Sequence, residues 1–292
     1  MGSLKEVKDR ITSVQSTIQI TSAMKMVSAA KLKRAQDAVT QMRPYAEKLK
    51  EILVNVSSTL DASESGYSIE REVKNLLIIP IASNRGLCGP FNTNVIKATR
   101  ALEKEHEGCE ITVLAAGKKA DDAFKGTKEH IHGTTLPRNM NNLFNELNFV
   151  NVSVQAERIM DAFIHKQFDK VVIIYNQFKN AAVQNVQVEQ WLPAVAPQSQ
   201  AKSTFVSDYI YEPSKSEIIE ELIPKSLKTQ FYKGFLDSHA SEHGARMTAM
   251  HKATDNATEM VNDLKLVYNK ARQAAITNEI LEIVGGAEAL ND

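Results

Sequence analysis

Apolar residues near the start of the chain recur three and four positions apart: Leu4, Val7, Ile11, Val14, Ile18, then Leu32, Ala35, Val39 and Met42. Thr21, Lys25 and Ser28 continue the same spacing as a polar interruption. This is the seam of a helix that packs against another helix. No Gly or Pro falls within residues 3–43, and Pro44 predicts a kink before the helical pattern resumes in YAEKLKEILVNVSSTL. At ~1.5 Å per residue, forty helical residues reach about 60 Å, wider than a compact domain of this size, so the helix is expected to protrude. Near the other end Met250, Ala253, Ala257, Met260, Leu264, Val267, Ala271, Ala274, Asn278 and Leu281 keep the same rhythm, and GGAEAL ends the run. Two such seams at opposite ends of one chain can bury each other as an antiparallel coiled coil.

The middle has another rhythm. NLLIIPIA, EITVLAAG and KVVIIYNQ are short apolar runs of the kind found in buried parallel strands. Helical patterns lie between them, near 92–107, 118–125 and 142–166, and strands alternating with helices predict an α/β sheet. AAVQNVQVEQWLPA alternates apolar and polar residues and reads as an antiparallel edge strand. DASESGYS and APQSQAKST read as linkers on either side, and the segment after the second is largely helical. The expected fold is α/β: an antiparallel coiled coil of long N- and C-terminal helices with an inserted Rossmann-like α/β domain. Residues 1–60 and 208–292 would form the coiled coil and 70–200 the globular domain.

Charge adds no global pull toward nucleic acid or an anionic membrane, because 35 basic residues balance 35 acidic ones. Cys88 and Cys109 have neither metal-ligand spacing nor a disulfide framework, which suits a reduced compartment. MGSLKEVKDR has no apolar signal region, Glu6 breaks the myristoylation pattern at Gly2, and no apolar run has the ~20 residues a membrane helix needs.

SNRGLCGPFN follows a strand and precedes a helix, the position of a phosphate-binding loop. Yet Gly86 and Gly89 fit neither G-x-x-x-x-G-K-[ST] nor G-x-G-x-x-G, and Pro90 lacks the N–H that an anion needs. A tight structural turn is the expectation. Other candidate chemistry is sparse. His130 and His132 have no third metal ligand nearby, and adjacent Asp121 and Asp122 point different ways on a helix. His239, Glu242 and His243 do not follow the H-E-x-x-H order, and Cys88 has no base placed by sequence. Lys25, Lys31, Lys33 and Arg34 form a basic run without aromatic residues, better suited to water or an acidic protein than to single-stranded nucleic acid.

ITSAMKMVSAAKLKRAQ, SNRGLCGPFN, SEHGARMTAMHKATDNA and LVYNKARQAAITNEILEIVGGAEAL together resemble the gamma subunits of F-type proton-translocating ATP synthases, over nearly the whole chain. That resemblance implies a rotor shaft without a catalytic nucleotide, cofactor or metal of its own. It implies three alpha and three beta subunits around the shaft, and an epsilon subunit and a membrane ring of c subunits at its foot. It implies that Met24 and Lys25 face an acidic loop of beta, that Arg272, Gln273 and Thr277 contact a loop of the catalytic subunits, and that Arg246 is a contact residue of the lower shaft. Tyr209 and Glu212 would face the c-ring. Asn84 stands where many members carry Asp. Without a transit peptide or a redox-control insertion, the expected location is the cytoplasmic face of a bacterial plasma membrane. A small α/β enzyme with helical arms and a coiled-coil structural protein are the alternatives; the first lacks a catalytic set and the second lacks Walker motifs.

Overall fold

The computed structural model describes residues 4–57, 66–131, 134–194 and 215–288. In chain order the elements are α1 (Leu4–Ser57), β1 (Asn75–Pro80), α2 (Phe91–Glu105), β2 (Glu110–Val113) and α3 (Lys118–Phe124). A 3-10 turn (Asn141–Phe144) precedes α4 (Phe149–Ile164), β3 (Lys170–Phe178), β4 (Gln184–Leu192) and α5 (Lys215–Glu288). The chain divides into two units: residues 1–28 with 247–292, and residues 29–246.

In the first unit the beginning of α1 lies against the end of α5. Thr21 Oγ1 and Thr254 Oγ1 meet across the pair at 2.8 Å. Counted outward from this contact, the inward positions of α1 step by three, four, three, four and three residues: Ile18, Val14, Ile11, Val7, Leu4. Those of α5 step the same way in the opposite chain direction: Ala257, Val261, Leu264, Tyr268, Ala271. All ten are buried or half-buried. The mirrored steps are what an antiparallel pair requires, since each rise along one helix is a descent along the other. Burial on α5 ends at Ala271, level with the first helical residue Leu4, and residues 272–286 are all exposed.

The observed seam corrects five expected positions: Met260 and Val267 lie off it, and Ala274, Asn278 and Leu281 fall in the exposed stretch 272–286. Met260 and Val267 are each 52% exposed, whereas Val261 is 5% exposed. A run with apolar residues at both 260/267 and 261/268 can be phased either way, and the spacing on α1 selects the second phase. The polar interruption is also accounted for. Thr21 donates to the carbonyl of Thr17 at 2.9 Å or to Thr254, while Thr254 can donate to Met250 O at 2.8 Å. Ser28, 2% exposed, donates to Met24 O at 2.8 Å. Each hydroxyl is satisfied without solvent, which burial demands.

The second unit is a sheet in the order β2-β1-β3-β4. β1 is parallel to β2 and β3, and β4 is the expected antiparallel edge strand on β3. Successive residues of β1 face opposite ways. Leu76 and Ile78 pack with Val95 and Leu102 of α2 and Phe124 of α3. Leu77, Ile79 and Ile81 pack with Val152, Ala156, Ile159 and Phe163 of α4 and with Leu227, Phe231 and Phe235 of α5. Trp191 on β4 is wholly buried, stacks on Phe231 at 4.7 Å and donates its indole N–H to Leu227 O at 3.0 Å. Full burial of a large apolar side chain contributes about 1.5–3 kcal/mol, so these aromatics hold α5 firmly against the sheet.

Of the two long helices, α1 stays within its expected span and α5 continues past its expected end. α1 runs through Pro44, and α5 is one helix of 74 residues that includes Pro224, Gly285 and Gly286. Pro224 lacks an N–H, but Ile223 and Leu227 on either side are buried in the core, and that packing offsets the lost hydrogen bond. No helix of the described residues is long and apolar enough to cross a membrane.

Three outcomes test this architecture. Thr21→Val should cost about 1 kcal/mol in chemical denaturation, while the double variant Thr21→Val/Thr254→Val should return close to wild type, because both partners are then apolar and of the same shape. Additive losses would contradict the paired hydroxyls. At Gly117, with φ of 104°, an added Cβ would lie 2.2 Å from Ala82 O, so Gly117→Ala should cost more than ~3 kcal/mol and show as loss of soluble chain. Gly286→Ala, on a helix with nothing near its Cβ, should raise helicity and stabilise by up to ~1 kcal/mol.

Candidate functional site

In a sheet wound this way, ligands usually bind beyond the carboxyl ends of the strands, between β1 and β3, where successive connections leave in opposite directions. Here the chain's own helix occupies that crevice. Ser238 Oγ donates to Ile81 O at 3.3 Å, just past β1, and Ser241 Oγ donates to Asn176 O of β3 at 2.9 Å. Ser238, Ala240 and Ser241 are all at most 1% exposed. Small residues let α5 approach the strand ends, and their hydroxyls satisfy the last carbonyls.

The glycine turn is built for the same purpose. Asn92 Oδ1 accepts from the N–H of Ser83 at 2.9 Å, and Asn92 Nδ2 donates to Cys88 Sγ at 3.2 Å. Asn84 uses both ends of its amide: Nδ2 donates to Asn141 O at 2.9 Å and Oδ1 accepts from Lys118 N–H at 2.9 Å. An Asp at this position could make only the second bond, so the replacement has a structural reason. Leu87 and Gly89 take φ of 63° and 58°. Cys88 and Phe91 turn inward onto Ala245 of α5, and Leu87 is 65% exposed at the tip. The carbonyls of Arg85 and Gly86 point at the guanidinium of Arg246. A turn that offers carbonyls to a buried cation is the reverse of a phosphate cradle, which offers N–H groups.

Behind Arg246 lies a short polar chain. Arg246 Nη1 pairs with Glu242 Oε1 at 2.7 Å and lies 3.4 Å from His243 Nδ1. An arginine only donates, so His243 Nδ1 accepts and its proton sits on Nε2, which is 3.2 Å from His239 Nε2. Burial, reinforced by neighbouring positive charge, lowers the pKa of His239 to about 4 and that of His243 to about 3, so both rings are neutral. Burial likewise raises the Cys88 thiol. Among the described residues no group of three or more His, Cys, Asp or Glu is arranged to hold a metal. His130 pairs with Asp121 at 3.1 Å, and Asp121 also accepts from Asn139 and Asn141, while Asp122 turns toward Lys119. His132 lies outside the described residues.

The expected contact residues do not converge on one pocket. Met24 and Lys25 are half-buried on α1 in the first unit, and Arg272, Gln273 and Thr277 lie on the exposed end of α5. The Thr21–Thr254 register sets Lys25 level with Met250, roughly 30 Å of helix from Arg272. Thr277 Oγ1 donates to Gln273 O at 2.9 Å. Among and beyond them Ile276, Ile280, Leu281, Ile283 and Val284 are between 48% and 67% exposed, and this apolar end of α5 escaped the sequence reading as a distinct surface. Arg246, by contrast, is 7% exposed and bonds within its own chain, an engagement that sequence spacing gave no means of finding. Tyr209 and Glu212 lie outside the described residues.

A sequence profile described as ATP synthase matches residues 3–290. The ATP synthase gamma chain of Flavobacterium johnsoniae is 60% identical over 292 residues, all of both chains. That of Flavobacterium psychrophilum is 59% identical over 291 residues, 99% of each. Among solved structures, a chain of the Euglena gracilis mitochondrial ATP synthase, OSCP/F1/c-ring in rotational state 3, is similar in fold with a TM-score of 0.66 at 21% identity, covering 98% of this chain and 94% of that one. The profile match and the end-to-end identity with these relatives agree, and the chain belongs to the ATP synthase gamma-chain family.

Proposed function

We propose that this chain is the central rotor shaft of a proton-translocating ATP synthase, without catalytic residues of its own. The observation that carries the reading is the end of α5. Residues 272–286 extend past the last seam position, remain helical and carry apolar side chains to solvent. Exposed apolar side chains on a helix held by a paired stem suit insertion among other subunits. The alpha and beta subunits, three of each, would surround this end, with Arg272, Gln273 and Thr277 as its polar contacts. Met24 and Lys25 would meet an acidic loop of beta, and Arg246 would be a contact residue of the lower shaft. Residues 1–60 and 208–292 would make up the shaft and 70–200 the domain at its foot. There the epsilon subunit and the c-ring would dock, the c-ring near Tyr209 and Glu212, at the cytoplasmic face of the membrane.

The mechanism follows from unequal contacts. Exposed residues around the α5 end differ in chemistry: Arg272 and Gln273 precede Ile276, Glu279 follows it, then Ile280. Each orientation of the shaft therefore offers a given beta subunit a different surface and favours a different conformation of it. A surface equal on all sides would shift no population, however tightly it bound. Proton flow through the c-ring would turn the shaft, and the alpha–beta ring would pass its three sites through successive states.

Two measurements check the proposal. The isolated chain should hydrolyse no ATP. In the assembled complex, Gln273→Leu should lower ATP-driven proton pumping relative to ATP hydrolysis by roughly fivefold, the ratio that ~1 kcal/mol of lost hydrogen bonding carries. Unchanged pumping would remove Gln273 from the contact set, and turnover by the isolated chain would overturn the rotor reading.

A further inference from the structure

The side chain that joins the glycine turn to α5 is used to capacity. A guanidinium has five N–H donors in a fixed plane. Arg246 directs Nε to Gly86 O at 3.3 Å, and Nη2 to Arg85 O at 2.9 Å and Gly86 O at 3.3 Å. Nη1 goes to Glu242 Oε1 at 2.7 Å and His243 Nδ1 at 3.4 Å. Glu242 and His243 lie one turn back on the same helix, so two contacts orient the guanidinium and three grip the turn. The turn's ends are fixed separately, through Ser83, Asn84 and Asn92. In its middle, where exposed Leu87 sits at a positive φ, Arg85 O also accepts from Ser83 Oγ at 2.6 Å, whereas Gly86 O is held from α5 among these contacts. A backbone in that conformation persists where its surroundings over-determine it.

We propose that Arg246 is a positioning residue: its guanidinium fixes the Arg85–Cys88 turn to α5, so that turn and helix move as one body. The consequence for coupling rests on the rotor reading; the geometry does not. A lysine carries the same charge but three donors at a single point, and cannot reach both turn carbonyls while bonded to Glu242. The proposal therefore separates planar, multiple bonding from charge alone. It also gives the buried arginine a task inside its own chain.

The test uses the assembled complex with Arg246→Lys, Arg246→Gln and Glu242→Gln. Hydrogen exchange is followed in the peptide spanning 83–92, with β1 as the internal reference, alongside the ratio of proton pumping to ATP hydrolysis. Exchange in 83–92 should rise about tenfold in both Arg246 variants and stay unchanged in β1, with a lower pumping ratio at retained hydrolysis. Wild-type exchange in Arg246→Lys would overturn the proposal, since charge would then suffice. Faster exchange with a normal pumping ratio would overturn the claim that turn and helix must move together. If the Arg246 variants do not assemble, faster exchange in Glu242→Gln supports the proposal and wild-type exchange refutes it. A wild-type complex that pumps no protons on ATP would count against the rotor reading, leaving the exchange result to judge the turn.

Discussion

Mutual burial of two helical seams is the constraint on which the rest of this molecule depends. Among the described residues of its unit neither seam has another partner, and each is interrupted by polar residues that a single exposed helix would not need to satisfy. Pairing resolves both problems. The apolar steps of α1 and α5 mirror each other about Thr21 and Thr254, and the hydroxyls meet where the apolar steps would otherwise break. Because the steps alternate three and four, a slip by one residue would turn Val261 and Tyr268 out and Met260 and Val267 in, opposite unchanged partners. The polar contact marks the register, and the apolar contacts supply the stability.

In the second unit the sheet serves α5. A doubly wound sheet leaves an opening beyond its carboxyl ends, commonly used for a ligand. Here Ser238 and Ser241 take the strand-end carbonyls, Trp191 and Phe231 pack alongside, and Arg246 takes the carbonyls of the glycine turn. The fold's usual ligand position has become an anchorage for a helix. That explains why a loop in the phosphate-binding position lacks every phosphate-binding signature. A rotor gains from this arrangement, because torque applied to a helix anchored at several points reaches the domain without bending one contact.

Much of this was legible in the sequence, for identifiable reasons. Strands β1, β3 and β4 are signalled by periodicity and by β-branched residues, and the edge character of β4 by its alternation. Both long helices are signalled by unbroken heptad spacing. The phase of α5 after Ala257 was not legible, since two adjacent stripes are apolar and only the partner helix chooses between them. The continuity of α5 was masked by Pro224 and by Gly285 and Gly286, whose local preferences are overridden by core packing and by the helix they extend. The link from Arg246 to Arg85 and Gly86 joins residues about 160 positions apart, and hydrogen bonds of that separation leave no local pattern. The contact residues proposed on the α5 end came from family resemblance rather than from spacing.

The most direct test of the paired seams is a disulfide between Val14→Cys and Val261→Cys, formed by mild oxidation of the full chain. The antiparallel register sets these positions level, so the bond should form readily and leave the far-ultraviolet spectrum unchanged. A parallel pair through the same Thr21–Thr254 contact would set Val14 level with Met247. Failure at Val261 together with efficient bonding of Val14→Cys to Met247→Cys would contradict the account.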